Sequence, residues 1–265
     1  MKKQTMITLA LALTLAMPTL PAFAQKAMSK KEIAEKEKAF KNLQHPWKGK
    51  KVAYFGDSIT DPRIKASKVK DWGCRQADLL QKEHGDNFDA ILIFMGTNDY
   101  NNGVPIGEWY AETFDSVRVA LHKPSEMAQR RHRHFAMDKN TLKGRINIAM
   151  SKLKQMYPTK QIVVMTPVHR AYFASGDKNI QPDEMYENAR GLFFDEYVKA
   201  IKEVGNVWAV PVIDLNSLSG LFPLYDAGAQ MFNKPNTDRL HPNDAGHSRM
   251  AKTIMQQLSD LPCVF

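Results

Sequence analysis

The sequence predicts a doubly wound α/β domain on a mostly parallel sheet, and three observations predict it. The runs 51–55 (KVAYF), 90–95 (AILIFM), 161–166 (QIVVMT) and 207–213 (VWAVPVI) have the length and apolar content of buried strands. The stretches 75–84, 141–156, 184–204 and 244–260 carry helical spacing of their apolar residues. The two kinds of segment alternate, as a parallel sheet with crossover helices requires.

Each part of the chain then has a reading in order. Lys2 and Lys3 open a short basic start, an apolar stretch follows, and Ala22-Phe23-Ala24 offers a small-residue cleavage pattern before Gln25. Residues 1–24 are expected to be an export signal, giving a periplasmic or secreted protein. Pro18 and Pro21 interrupt the apolar run, which argues against a membrane anchor. No later segment is apolar enough to span a bilayer, so no stable membrane insertion is expected. Within residues 25–46, Ile33, Ala34, Ala39 and Phe40 give 27–43 a modest helical stripe, read as an N-terminal arm.

Residues 47–265 read as one domain. Of the 265 residues, 24 fewer leaves 241, enough for one large hydrophobic core. The net charge is +9, or about +7 without the two leader lysines. Such a balance favours acidic partners, among them uronic-acid glycans and anionic lipid surfaces; basic residues spread evenly over a surface are the competing reading. A nucleic-acid partner is not expected. Region 104–140 is long, basic and poorly periodic, and it reads as an insertion on the strand-end face. Cys74 and Cys263 are the only cysteines. Export permits a bridge, but two distant cysteines do not make a disulfide framework.

Three short motifs carry the chemistry. Gly56-Asp57-Ser58 follows the first apolar run at once, where α/β sheets place ligands. Gly56 permits a sharp exit that lifts Ser58 out of the sheet, although the same three residues also suit a turn with a helix cap. Gly96-Thr97-Asn98-Asp99 follows the second buried run and puts a side-chain amide at the same crevice. Amide N–H groups suit an oxyanion hole; an Asn-Asp turn is the alternative. Asp238-Arg239-Leu240-His241-Pro242-Asn243 precedes the last helix. Its spacing lets a carboxylate face an imidazole within one loop, as a general base and its orienter must.

Taken in order, Gly-Asp-Ser-Ile, Gly-x-Asn-Asp and Asp-x-x-His-Pro resemble the blocks of the SGNH/GDSL hydrolase family over nearly the whole domain. The resemblance implies a flavodoxin-like three-layer α/β/α fold and ester or thioester hydrolysis without a metal or cofactor. By motif position it makes Ser58 the nucleophile and a backbone oxyanion donor, Asn98 the side-chain donor, His241 the base and Asp238 its orienter. The family also has a glycine after a second strand, whose N–H completes the oxyanion hole. Ser58 and Asn98 are only 40 residues apart, and that interval shows no strand-like run. The second edge strand is therefore expected to be absent, with Gly73 the one glycine before the helix. Losing that strand leaves 51–55 as an exposed edge.

Asp57, Asp99, His169 and Arg170 are candidates to line the crevice, the last two because they follow the 161–166 run. Trp72, Trp109 and Tyr110 are candidates to stack on a sugar, against the alternative that they pack locally. Arg130-Arg131-His132-Arg133-His134 could hold an acidic substrate or form a solvated charged face. No His-x-x-x-His zinc helix, Walker loop or dinucleotide glycine fingerprint is present, so no metal and no cofactor are expected. The substrate expected is a small-molecule or polysaccharide ester, foremost a carbohydrate O-acetyl group. A lipase, lysophospholipase or thioesterase is the alternative, and a catalytically impaired glycan-binding or scaffold protein is the alternative of another class. Nothing in the sequence fixes the oligomeric state.

Overall fold

Apolar runs that end level with one another bring the first two motifs of this chain to one edge of a sheet. A computed structural model describes residues 45–60, 72–119, 126–261 and 264–265, together with Lys31 and Glu35. The chain divides into two units, Met1–Gln44 and His45–Phe265. In the first, Lys31 and Glu35 are exposed helical residues. The expected export signal and the rest of the expected N-terminal arm lie outside the described residues, as does Cys263. No helix among the described residues is long and apolar enough to cross a membrane.

The second unit runs β1 (Val52–Gly56), α1 (Cys74–His84), β2 (Ala90–Phe94), α2 (Thr97–Asn101), β3 (Tyr110–Arg118), β4 (Met127–Phe135), α3 (Leu142–Met156) and β5 (Gln161–Met165). It continues through β6 (Phe173–Ala174), β7 (Ile180–Gln181), α4 (Phe194–Trp208), β8 (Val212–Ile213), α5 (Leu215–Leu218), α6 (Asp226–Ala229), β9 (Phe232–Lys234), β10 (Asp238–Pro242) and α7 (Asp244–Asp260). The main sheet has the order β1-β2-β5-β8 and is parallel throughout. Among the described residues β1 pairs only with β2, so it stands at the edge, with Tyr54 exposed.

Strand alternation sorts the core into two layers. Ile91, Ile93, Ile162 and Val164 pack with Ala77 and Leu80 of α1, Ile146 and Leu153 of α3, and Ile201 and Val204 of α4. Leu92, Phe94, Val163 and Met165 point the other way, onto Leu215 of α5 and Met250 and Leu258 of α7. The result is the three-layer α/β/α arrangement, with β2 and β5 buried on both faces. The register pairs Gly56 with Phe94 and Phe94 with Met165. Chain leaving these three strands therefore emerges along one edge.

Expectations for 207–213, 184–193 and 238–242 need correction. The run 207–213 is not one strand: α4 continues to Trp208, Ala209 turns left-handed at φ 50°, and only Val212–Ile213 pairs with β5. The apolar spacing of Phe194, Tyr197, Val198, Ile201 and Val204 runs on into Val207 and Trp208, so the helix wins there. Conversely, 184–193 is turn, and the helix begins at Phe194, where the Glu196 carboxylate accepts the Phe193 N–H at 2.8 Å. Within 104–140, β3 and β4 form a ribbon, paired antiparallel from Tyr110↔Phe135 to Arg118↔Met127. Nearly all of the two strands is exposed, so they lack the apolar alternation by which a half-buried strand is recognised.

A second, small antiparallel sheet has the order β7-β6-β10-β9. The stretch 238–242, read from sequence as a loop, is its strand β10, irregular between Asp238 and Pro242. Asn243 then caps α7, its side chain accepting the Ala245 and Gly246 N–H groups at 3.0 and 3.2 Å.

Candidate active site

The turn after β1 exists because residue 56 is glycine. A Cβ there would sit 1.9 Å from Thr60 Oγ1, inside the turn closed by the Thr60 N–H donating to the Asp57 carbonyl at 3.1 Å. That turn presents Ser58, partly exposed, with its Oγ 3.0 Å from His241 Nε2. On the other side of the ring, His241 Nδ1 lies 3.0 and 3.1 Å from the two carboxylate oxygens of Asp238. With Asp238 ionised, Nδ1 carries the proton and Nε2 is left to accept from Ser58.

Asp238 is held as an anion. Burial alone would raise its carboxyl; hydrogen bonds from the His241 ring, the Asn233 amide and the His241 backbone outweigh that and keep it below the usual carboxylate range. Asn233 Nδ2 donates to Oδ2 at 3.0 Å, and the His241 and Leu240 N–H groups donate to Oδ1 at 3.0 and 3.2 Å. The Phe173 ring meets His241 edge-on, with centroids 5.3 Å apart, and limits its swing. Asn233 and Phe173 were not readable as site residues, because neither belongs to a motif.

Asn98 opens α2 at the end of β2, and its Nδ2 donates to Asp57 Oδ2 at 2.9 Å. That bond uses one of the two amide hydrogens and aims the other. Asp57 is 3% exposed and also accepts the Ile59 N–H at 3.2 Å. Burial pushes its carboxyl up to about 6, against the opposing pull of the Ile59 N–H and His241. Asp57 therefore binds the first two motifs together from beneath, and the expectation that it lines the crevice is corrected.

The same correction applies to Asp99 and Arg170, since a buried polar group must spend its hydrogen bonds inside. Asp99 accepts from Arg145 at 2.9 Å and from the Trp72 indole at 3.1 Å. Arg170 is 1% exposed, donates to Gln181 at 2.8 Å and Thr97 at 3.4 Å, and lies over the Tyr100 ring. Burial drags it down to about 10, so it stays charged at neutral pH. His169 remains partly exposed, its Nδ1 2.5 Å from Glu184 Oε1, with Phe222 edge-on at 5.3 Å. That hydrogen bond raises the imidazole's pKa.

Gly73 is tied to the same region from three sides. At φ 92° it begins α1 with a conformation that other residues resist, and a Cβ would meet Phe55 at 2.7 Å. Gln76, one turn on, donates to the Gly56 carbonyl at 3.0 Å, and Trp72 donates to Asp99 next to Asn98. Trp72 and Trp109 are buried, the latter donating to Glu203 at 2.6 Å, and Tyr110 stacks on Phe135. These three rings pack locally and are not a sugar platform. Arg130 to His134 lie on exposed β4, where Arg131 and Arg133 both pair with Glu112.

The chain belongs to the GDSL-like lipase/acylhydrolase family, whose model matches residues 67–249. That span takes in Gly73, Asn98, Asp238 and His241 and begins after Ser58. No curated protein matches the chain. Among solved structures, a protein from Lactobacillus plantarum is 20% identical, with 80% of this chain and 97% of that one covered at a TM-score of 0.55. A possible lipase from Chitinophaga pinensis is 19% identical, with 79% and 97% covered at a TM-score of 0.51. At these identities the likeness is one of fold.

The raised Asp57 carboxyl gives a stability prediction with a definite sign. A native value of about 6 against an ordinary 3.8 means that the folded state holds this proton more tightly. The group's stabilising contribution is complete below about pH 4 and is lost as pH rises through about 6, a change of roughly 3 kcal/mol. Denaturant unfolding of the wild type and of Asp57→Asn should show the gap between them shifting by that order from pH 4 to pH 7, with the wild type losing ground. A gap independent of pH would contradict the assignment.

Proposed function

We propose that the chain is an exported serine esterase that removes O-acyl groups, foremost acetyl, from carbohydrate. The observation that carries the hydrolytic reading is the unbroken line from Ser58 Oγ through the His241 ring to the Asp238 carboxylate, at 3.0 Å on each side. Ser58 gives its proton to His241 Nε2 as Oγ attacks the ester carbonyl. The Asn98 amide and the backbone N–H groups of Ser58 and Gly73 receive the oxyanion. His241 then protonates the departing alcohol, and water, deprotonated by the same nitrogen, releases the acid and restores Ser58.

The carbohydrate reading rests on the leader-like start, the positive charge and a different set of rings from those the sequence suggested. Tyr172, Phe222 and Tyr225 are exposed, and Phe222 packs between His169 and Tyr225. Tyr172 accepts the Arg239 N–H at 2.9 Å through its carbonyl, beside the strand that carries His241. Exposed rings suit a sugar, whose flat C–H face is apolar and whose rim is polar. The test is a substrate panel: acetylated xylo-oligosaccharides, aryl esters from acetate to palmitate, and a lysophospholipid. Acetyl esters should be turned over at least about tenfold faster than palmitoyl esters, and acetylated sugar should release acetate. Preference for long chains would move the assignment to a lipase. A folded protein that neither turns over any ester nor reacts with a fluorophosphonate probe would end the catalytic reading.

A further inference from the structure

We propose that Asp115, His132 and His134 form a surface site for a divalent transition metal, zinc first of all, on one face of the β3–β4 ribbon. Residues two apart on a strand point to the same side, so His132 and His134 share a face, and their rings lie 4.0 Å apart. The register sets His132 opposite Thr113 and Arg130 opposite Asp115, which places Asp115 diagonally next to His132 on that face. His132 Nδ1 hydrogen-bonds the Asp115 carboxylate directly. One ligand atom from each of the three side chains lies within 4.8 Å of the others.

A tetrahedral ion with ligands at about 2.0–2.2 Å needs its donors about 3.3–3.5 Å apart. All three side chains are exposed, and small rotamer adjustments bring them that close. Thr113 Oγ1 lies 3.0 Å from His134 Nε2 and 3.4 Å from Asp115 Oδ1, an outer partner that orients both. The surrounding arginines are engaged elsewhere. Arg131 and Arg133 belong to the opposite face and meet Glu112, while Arg130 donates to the Gln129 carbonyl at 3.1 Å.

The donor set selects the ion. Two imidazole nitrogens and one carboxylate suit zinc, copper or nickel; magnesium and calcium ask for oxygen throughout. Water or a donor from another molecule completes the fourth position, and the ion joins the two strands. The helical spacing His-x-x-x-His is absent from the sequence, but on a strand the matching pattern is His-x-His, because the period is two.

The experiment is calorimetric titration of the full, tag-free chain with zinc, nickel, calcium and magnesium. One equivalent of zinc should bind with a Kd on the order of 10 µM, nickel should bind as well, and calcium and magnesium should not. His132→Ala with His134→Ala should weaken zinc binding by at least about a hundredfold, and Asp115→Asn by about tenfold. Ser58→Ala should bind zinc as the wild type does, so this result stands apart from the esterase assignment. Cobalt substitution should give the visible absorption of a tetrahedral nitrogen–oxygen site, lost in the double variant. Equal zinc binding by the wild type and the double variant, or none by the wild type at millimolar zinc, overturns the proposal.

Discussion

Replacing Ser58 with Ala should lower kcat/KM on an activated aryl ester by about 10⁴-fold or more, with the folded state intact. The hydroxyl is the only group on the line to His241 that can form an acyl-enzyme, and its partly exposed position leaves no cavity when truncated. His241→Ala should cost a similar factor, since an unactivated serine hydroxyl is a poor nucleophile. The double variant should be scarcely worse than either single one, because the two groups act as a unit. Retention of more than a tenth of wild-type turnover by Ser58→Ala, in protein with an unchanged thermal transition, would sink the assignment.

Asn98→Ala should lower kcat by about 10²–10³ and leave KM nearly unchanged. The reason is the pairing with Asp57: one amide hydrogen is fixed on the carboxylate at 2.9 Å, which leaves the other to donate to the oxyanion of the proposed mechanism. Truncation also leaves a buried carboxylate one donor short, which should cost about 1–3 kcal/mol of stability. Unfolding curves measured beside the kinetics separate these effects. A rise in KM with kcat preserved would mean that Asn98 holds the ester in the ground state and gives nothing to the transition state.

Much of the fold could be read from the chain because β2 and β5 are buried on both faces, which makes their residues apolar without interruption. The error at 207–213 arose where an amphipathic helix ran almost directly into a short strand, leaving one apolar run for two elements. The ribbon escaped notice because both its faces meet solvent. At the site, Ser58 and Asn98 can be singled out because each follows an apolar strand within a recognisable motif, and His241 because its motif precedes the last helix. The roles of Asp57, Asp99 and Arg170 were not legible. A charged residue in a turn reads as solvent-facing, and only the fold reveals that Asn98, Arg145 and Gln181 wait inside to receive them.

The nucleophile and base of the proposed mechanism hang from two different sheets. Ser58 and Asn98 leave the parallel sheet, while Asp238 and His241 belong to the small antiparallel one. Each frame has its own backbone ladder, and the 3.0 Å contact between Ser58 Oγ and His241 Nε2 is a joint between them. Heat or denaturant that lets the small frame shift by an ångström should abolish the proposed esterase activity while the parallel sheet still stands. The proposed activity is a gauge of alignment, and it should fade before spectroscopic signs of unfolding begin.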